Sequence, residues 1–350
     1  MTIKPVIYVY LVQELRAHNT TLICPGVCCV FIDKHRRFKV PGKNFTQVLE
    51  ELDSSRNYFG TPLEGLDAYQ RQLNRYAIKV SGPESSPVES FFQSSGSAVL
   101  FPEYMTRAVR QGMENVNKIS DMVATVTKID ALDYRSISAG ADEATESTEL
   151  SKTNITTSSG LVEMRKRGRM LTASYETLRF QKLDLLTVAM RQIGAYIAYA
   201  IANDAVDVLV NGDGNKAGID FTPGCKPDYA DFISLWAKLS PYSLNTVVVG
   251  TAAMQKLLNV PEFKDNQAGM NFQGIGNQRS FLGAKLVHVP GMDEHKILAL
   301  DKNCALEMVQ FGDIATDYDK LIDRQMERAA ISVTAGFARI FEGAAVGLEC

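Results

Sequence analysis

The sequence predicts an α+β chain, and three stretches carry that prediction. Residues 180–210 hold apolar positions at helical spacing, residues 120–177 read as two β-rich limbs around a polar tip, and residues 225–311 alternate helical with strand patterns. In the first stretch Leu186, Met190, Ile193, Ile197 and Ile201 recur at intervals of four and three, while Asp184, Thr187 and Arg191 mark a polar face. At about 1.5 Å per residue this is one helix roughly 45 Å long. Ala and Gly stud it from Gly194 to Ala205, which lets a second backbone come close, and Asn211-Gly212-Asp213-Gly214 is a stop signal. Its uninterrupted apolar run is only about ten residues before Asn203 and Asp204, short of the roughly 20 that a bilayer crossing needs.

The second stretch has an outgoing limb over residues 122–137, rich in Val, Thr, Ile and Tyr, and a return limb over 161–175 with strand periodicity. The tip between them, residues 139–160, holds Asp142, Glu143, Glu146, Glu149 and Lys152 among many Ser and Thr, so it is solvated or docked on a polar partner. A period of two puts Arg165, Arg167 and Arg169 on one face and Val162, Met164 and Met170 on the other, with Lys166 as the exception. Two limbs of about 16 residues make a ribbon roughly 50 Å long, and a lone two-stranded ribbon is marginal in water. The expectation is that the ribbon docks on another copy of the chain. The three arginines and the acidic tip then form an electrostatic match between subunits.

The third stretch reads as a compact α/β unit. It has helices over 228–239 and, capped by Thr251, over 251–258; strands fall at 244–249, 284–289, 296–300 and 305–311, and a Gly- and Asn-rich loop at 266–279. At the end of the chain Ile331, Val333 and Phe337 alternate with small or polar residues as a half-buried strand does. Upstream, two helical stripes (Phe45, Val48, Leu49, Leu52 and Leu66, Tyr69, Leu73, Tyr76) are too narrow for a core of their own. Residues 81–87 are a linker by composition, and residues 88–112 read as an extended arm with apolar anchors that closes in a short helix.

Composition narrows the function classes. With 350 residues, 45% hydrophobic and 22% charged, the chain is ordinary globular material. A formal net charge of -3 supplies no basic footprint, which excludes a sequence reader of DNA or RNA. Six cysteines make no disulfide framework, and without a secretory signal they are expected as free thiols in a reducing compartment. Cys24, Cys28 and Cys29 with His18 and His35 lack the second Cys pair of a structural zinc site, and His288, Asp293, Glu294 and His295 fit no zinc spacing. Gly212-Asp213-Gly214-Asn215-Lys216-Ala217-Gly218 follows a helix rather than a strand, at the wrong spacing for a phosphate loop. No nucleophile elbow is readable. The chain is expected to be non-enzymatic, with no metal and no cofactor.

The order of arm, long hairpin, long helix, α/β unit and terminal strands resembles the major capsid proteins of tailed bacteriophages, whose fold is shared by encapsulins. The resemblance covers about residues 91–348. It is carried by Ala98-Val99-Leu100-Phe101-Pro102-Glu103-Tyr104, Val210-Asn211-Gly212-Asp213-Gly214, Val247-Val248-Val249-Gly250, and the run Asp317-Tyr318-Asp319-Lys320-Leu321-Ile322-Asp323-Arg324-Gln325. It implies an N-terminal extension over 1–90, scaffold-like and retained, then an arm and first peripheral strand over 91–130 and an extended loop over 131–178. A peripheral domain with a spine helix follows over 179–224, an axial domain over 225–300, peripheral strands over 301–328, and strands over 329–350 that return to the axial domain. It also implies hexamers and pentamers of an icosahedral shell around double-stranded DNA, portal and scaffolding partners, no membrane, and a place in the virion after assembly in the host bacterial cytoplasm. Lys152 stands where some members crosslink to a neighbour's asparagine, but residues 310–328 hold no asparagine, so no crosslink is expected. The other readings are an encapsulin-type compartment and, from another class, a soluble α/β enzyme.

Overall fold

The computed structural model describes residues 31–32, 38–39, 44–129, 135–138, 154–157, 162–223, 229–259, 283–321 and 326–349. A small hairpin, β1 (Phe31–Ile32) with β2 (Phe38–Lys39), precedes two short helices, α1 (Phe45–Leu52) and α2 (Ala68–Arg75). Both helices start on capping boxes, Asn44 with Gln47 and Asp67 with Gln70, which satisfy N–H groups that a helix end leaves open. Then come α3 (Ser95–Ala98), α4 (Leu100–Asn115), β3 (Thr125–Ile129), β4 (Arg135–Ser138), β5 (Asn154–Thr157) and β6 (Arg165–Ser174). The short α5 (Tyr175–Phe180) leads into the long α6 (Leu183–Asn211).

The short helix expected to close the arm is α4, and the part of 88–112 expected to be extended is largely helical too, with a helical turn over Val88–Phe92 and then α3. Leu100, Phe101, Tyr104, Met105, Ala108, Val109 and Gly112 are all buried at intervals of one, three and four. Burying them together therefore requires a helix. Pro102 lies in the first turn, where its missing N–H is no loss. The long helix begins at Leu183 rather than at residue 180, because residues 86–88 pair with 181–183: the Val88 N–H donates to the Gln181 carbonyl and the Leu183 N–H to the Ser86 carbonyl. It ends where expected, on Gly212 with φ of +91°. By length and composition alone α6 also passes for a membrane span, yet half of its most apolar window is buried against the rest of the chain.

Helices α4 and α6 meet backbone to backbone. A Cβ on Gly194 would lie 2.1 Å from the Val109 carbonyl oxygen, and one on Gly112 would lie 2.1 Å from that of Arg191. Beside this crossing the Tyr104 hydroxyl lies 2.7 Å from the Leu183 carbonyl and 2.6 Å from Thr187 Oγ1, and burial pushes its pKa up to about 12.

Two sheets flank the helices. The remaining elements are β7 (Phe221–Pro223), α7 (Tyr229–Leu239), β8 (Thr246–Val249), α8 (Thr251–Leu258), β9 (Lys285–His288), β10 (Lys296–Leu300), β11 (Leu306–Leu321), β12 (Met326–Arg339) and β13 (Ala345–Glu349). The four-stranded sheet has the order β3-β11-β12-β6, so the two limbs do not pair at their bases. Strand β3 runs parallel to β11, β6 antiparallel to β12, and the β11–β12 ribbon lies between them. Only further along the chain do the limbs meet, in the β4–β5 pairing of residues 135–138 with 154–157. The neighbour that the ribbon needs is thus supplied, at its base, by the chain itself.

The five-stranded sheet has the order β7-β13-β10-β8-β9 and is the expected α/β unit, closed by the last strand of the chain. Its alternating positions serve two cores. Val247, Val249, Ile297 and Ala299 pack with Phe232 and Leu235 of α7 and Met254 and Leu257 of α8, whereas Val248, Leu298 and Leu300 belong to the main core with α4 and α6. Of the strand expected over 305–311, residues 306–311 belong to the other sheet, in β11. The N-cap of α8 is Gly250; Thr251, expected as the cap, lies inside the helix with its hydroxyl 3.0 Å from His288 Nε2. His288 itself ends strand β9, inside the strand expected over 284–289.

Leu49, Ala68, Tyr69, Leu73, Ile78 and Val88 are part of the same main core. Buried Arg71 ties α2 to Asp53 and the Leu66 carbonyl, and Arg107 of α4 bridges Asp67 and Glu103. Residues 44–88 are therefore joined to the body of the molecule.

Gly194→Ala is expected to lower the unfolding free energy of the unassembled subunit by about 3 kcal/mol, since the two helices must separate to admit one methyl group. Urea denaturation measures this, with the exposed Ala189→Gly as the control at about 1 kcal/mol.

Candidate assembly interface

Strand β6 is an edge of the four-stranded sheet, and edge strands and exposed apolar residues are where another chain attaches. Its odd-numbered residues face α6. Arg167 grips Asp204 through both Nε (2.7 Å from Oδ2) and Nη2, and Arg165 Nη1 lies 3.2 Å from Asp204 Oδ1 and 2.6 Å from Asp207 Oδ2. Arg165 Nε also donates to Glu163 at 3.1 Å. Arg169 lies over the Tyr196 ring, 3.7 Å from its centroid. Asp204 is only 6% exposed, and a carboxylate that deep in a helix is tolerable because both of its oxygens accept charged hydrogen bonds.

The electrostatics follow from this geometry. Hydrogen bonds donated to Asp207 and Glu163 hold the Arg165 guanidinium more firmly protonated than usual, and the bond to Asp204 does the same for Arg167. The hydrogen bond from Arg165, aided by one from Asn211, holds the Asp207 carboxyl below its usual value. These groups fasten the return limb to the long helix.

The three arginines therefore share one face, as their spacing requires, but the structure pairs them within the chain, with α6. The acidic tip expected to meet them, Asp142, Glu143, Glu146, Glu149 and Lys152, lies outside the described residues, as do Cys24, Cys28, Cys29, His18 and the loop at 266–279. Sequence reasoning missed Asp204, Asp207 and Tyr196 as their partners. A signal was present: Asp204 and Asp207 are three apart on a helix, which matches in reach two arginines two apart on a strand. Among the described residues no group of three or more His, Cys, Asp or Glu side chains is placed to hold a metal ion.

On the opposite face of β6, Lys166 and Met170 are exposed. Along α6, Leu185, Val188 and Tyr196 form an exposed apolar stripe, and α7 shows Ile233 and the chain's single tryptophan, Trp236, to solvent. Such side chains are the material of protein–protein contacts rather than of a catalytic cleft.

Residues 159–301, which run from the return limb through the long helix and across the α/β unit, match the model of a family described as phage capsid protein. Over those residues, less than half of its length, the chain is similar to phage capsid proteins. Among curated proteins none matches the sequence. Three solved structures show the level of likeness in three dimensions. A virus-like particle from Pyrococcus furiosus is 14% identical with a TM-score of 0.49, covering 71% of this chain and 98% of its own. The capsid of an empty GTA particle is 15% identical at 0.48, covering 67% and 90%. The head of Helicobacter pylori bacteriophage KHP40 is 7% identical at 0.48, covering 67% and 89%.

Asp204→Ala is expected to cost about 2 kcal/mol in urea unfolding, because it strips two arginines of their shared acceptor; Asp207→Asn costs about 1 kcal/mol or less. The lowered folded pKa of Asp207 contributes stability above its usual value of 3.8 and loses it as pH falls through the folded value. An acid titration of stability is therefore less steep below about pH 4 in Asp207→Asn than in the parent.

Proposed function

We propose that this chain is the major capsid protein of a phage head, self-assembling into hexamers and pentamers of an icosahedral shell around double-stranded DNA in the host bacterial cytoplasm. The family match over residues 159–301 carries the reading. Support comes from a clamped limb that leads to a polar tip, and from apolar side chains turned outward on two helices. Portal and scaffolding proteins are the other partners. The DNA is enclosed without being read, in keeping with a net charge of -3. The chain has no catalytic task.

The contacts we assign between copies are Asp142, Glu143, Glu146, Glu149 and Lys152 at the tip, meeting a neighbour at Arg169 and its surroundings. Arg165 and Arg167 contribute by aiming the limb, since their charges are already committed to Asp204 and Asp207. Each contact is modest, and a closed shell multiplies them.

Negative-stain microscopy of the purified full-length chain is expected to show closed shells. The quadruple variant Asp142→Lys, Glu143→Lys, Glu146→Lys, Glu149→Lys should abolish them while leaving the subunit's urea midpoint unchanged. A chain that stays monomeric at high concentration defeats the reading. Shells that form normally in the variant defeat the tip contact alone, and particles filled with an enzyme cargo instead of DNA select the compartment alternative.

A further inference from the structure

Two features find no partner among the described residues. The first is an open groove between residues 82–85 and the junction of α5 with α6, about 410 Å³ in volume and lined among others by Pro83, Ser85, Phe180, Lys182, Asp184 and Leu185. Its apolar walls face water, with Phe180 84% and Leu185 61% exposed. Ser85 in its wall is only 6% exposed, and its hydroxyl has no hydrogen-bond partner among the described residues. A buried hydroxyl in that state marks a place where another polar group belongs. The second feature is Phe59, also 84% exposed, at the tip of a turn. That turn is held stiffly. Gly60, with φ of +73°, donates its N–H to Glu64 Oε2 at 2.8 Å, and Thr61 donates both its N–H and its hydroxyl to the Tyr58 carbonyl. The Tyr58 ring lies under the Arg71 guanidinium, 4.4 Å from its centroid, and the Tyr58 hydroxyl donates to Asp53 at 2.8 Å.

We propose that the Phe59 turn of one copy inserts into this groove of a second copy, a contact that rests on the assembly between copies proposed for this chain and names one of its interfaces. A concave groove takes a protruding side chain. The other exposed large apolar side chains among the described residues lie along helices, as Trp236 does, or along strands, as Phe311 does, and only Phe59 projects from a turn. Within one molecule the turn and the groove stay apart, since Phe59 remains exposed and a Cβ on the adjacent Gly60 would meet nothing within 4 Å. A second copy brings them together. The charges match as well. Exposed Arg56 and Glu64 flank Phe59, and exposed Lys182 and Asp184 line the groove, so pairing Arg56 with Asp184 and Glu64 with Lys182 fixes the sense of insertion. A main-chain carbonyl of the turn accepts from the Ser85 hydroxyl. Because the turn is already fixed in place, little freedom is lost on docking. Turn and groove are different surfaces of one chain, so the contact repeats head to tail and closes into a ring where the rotation permits.

The test replaces Phe59 by the photo-crosslinker benzoylphenylalanine in the full-length chain, at high concentration and in an equal mixture of unlabelled and heavy-isotope subunits. The expected result is an adduct to residues 180–185 in which light peptides join heavy ones as often as light ones. Leu185→Asp, at an exposed position, should abolish it, and Ser85→Ala should lower its yield about fivefold through the lost hydrogen bond. Arg56→Glu should lower the yield about twofold, and adding Asp184→Arg should restore it. Adducts confined to matched labels place the turn in its own molecule's groove and overturn the proposal, as do adducts to any other segment or none. Negative-stain microscopy of the same samples separates this contact from the function. Shells without the adduct overturn the contact and leave the capsid reading standing, whereas the adduct without shells supports the contact and defeats that reading.

Discussion

The crossing of α4 and α6 at Gly112 and Gly194 is the contact on which the rest of the structure depends. With no Cβ on either residue the two backbones touch, so the distance and angle between the helices are set by main-chain atoms and cannot drift with side-chain rotamers. The four-stranded sheet is registered against this pair. Thr106 of α4 shares a hydrogen bond with Thr316 of β11 and Arg110 pairs with Asp313, while Asp204 of α6 holds the edge strand β6. One sheet is thereby fastened through an inner strand and an edge strand to one rigid helix pair.

That rigidity bears on assembly. A subunit that must fit many neighbours in a shell tolerates little error in the direction of a projecting limb, because a small angular error at the base becomes a large displacement at the tip. The cluster of Arg165, Arg167, Asp204, Asp207 and Glu163 sits at that base, and it grips from a helix whose own position is set by backbone contact. The carboxylate at its centre is nearly buried and the arginines are partly open to water. The cluster is thus firm at the helix and adjustable at the strand.

The chain also returns on itself. Its last strand, β13, lies between β7 and β10 in the five-stranded sheet, and residues 44–88 contribute Leu49, Tyr69 and Leu73 to the core formed by α4 and α6. Units that look separable along the sequence share one core, so removal of an early segment would open the interior of the molecule. Within the five-stranded sheet β8 is buried on both faces, which joins the α7–α8 layer to the main core.

Much was legible from local pattern. The long helix and its glycine stop, the helix over residues 251–258 and the strand over 296–300 follow from periodicity and turn chemistry, which act over a few residues. The partners of the limbs were not legible, because a strand of period two fits any neighbour with a matching face, and the β11–β12 ribbon lies more than 130 residues further along the chain. The helix that closes residues 88–112 was legible but its extent was not, because a few closely spaced aromatic residues suit an anchor-bearing arm as well as a helix stripe; contact with α6 decided for the longer helix. By itself the sequence determined the long helix, the helix over 251–258, the strand over 296–300 and that three arginines share a face, since all depend on spacing along the chain. Only the tertiary structure decided that those arginines answer Asp204 and Asp207, because that depends on which side of α6 the crossing at Gly194 turns toward the sheet.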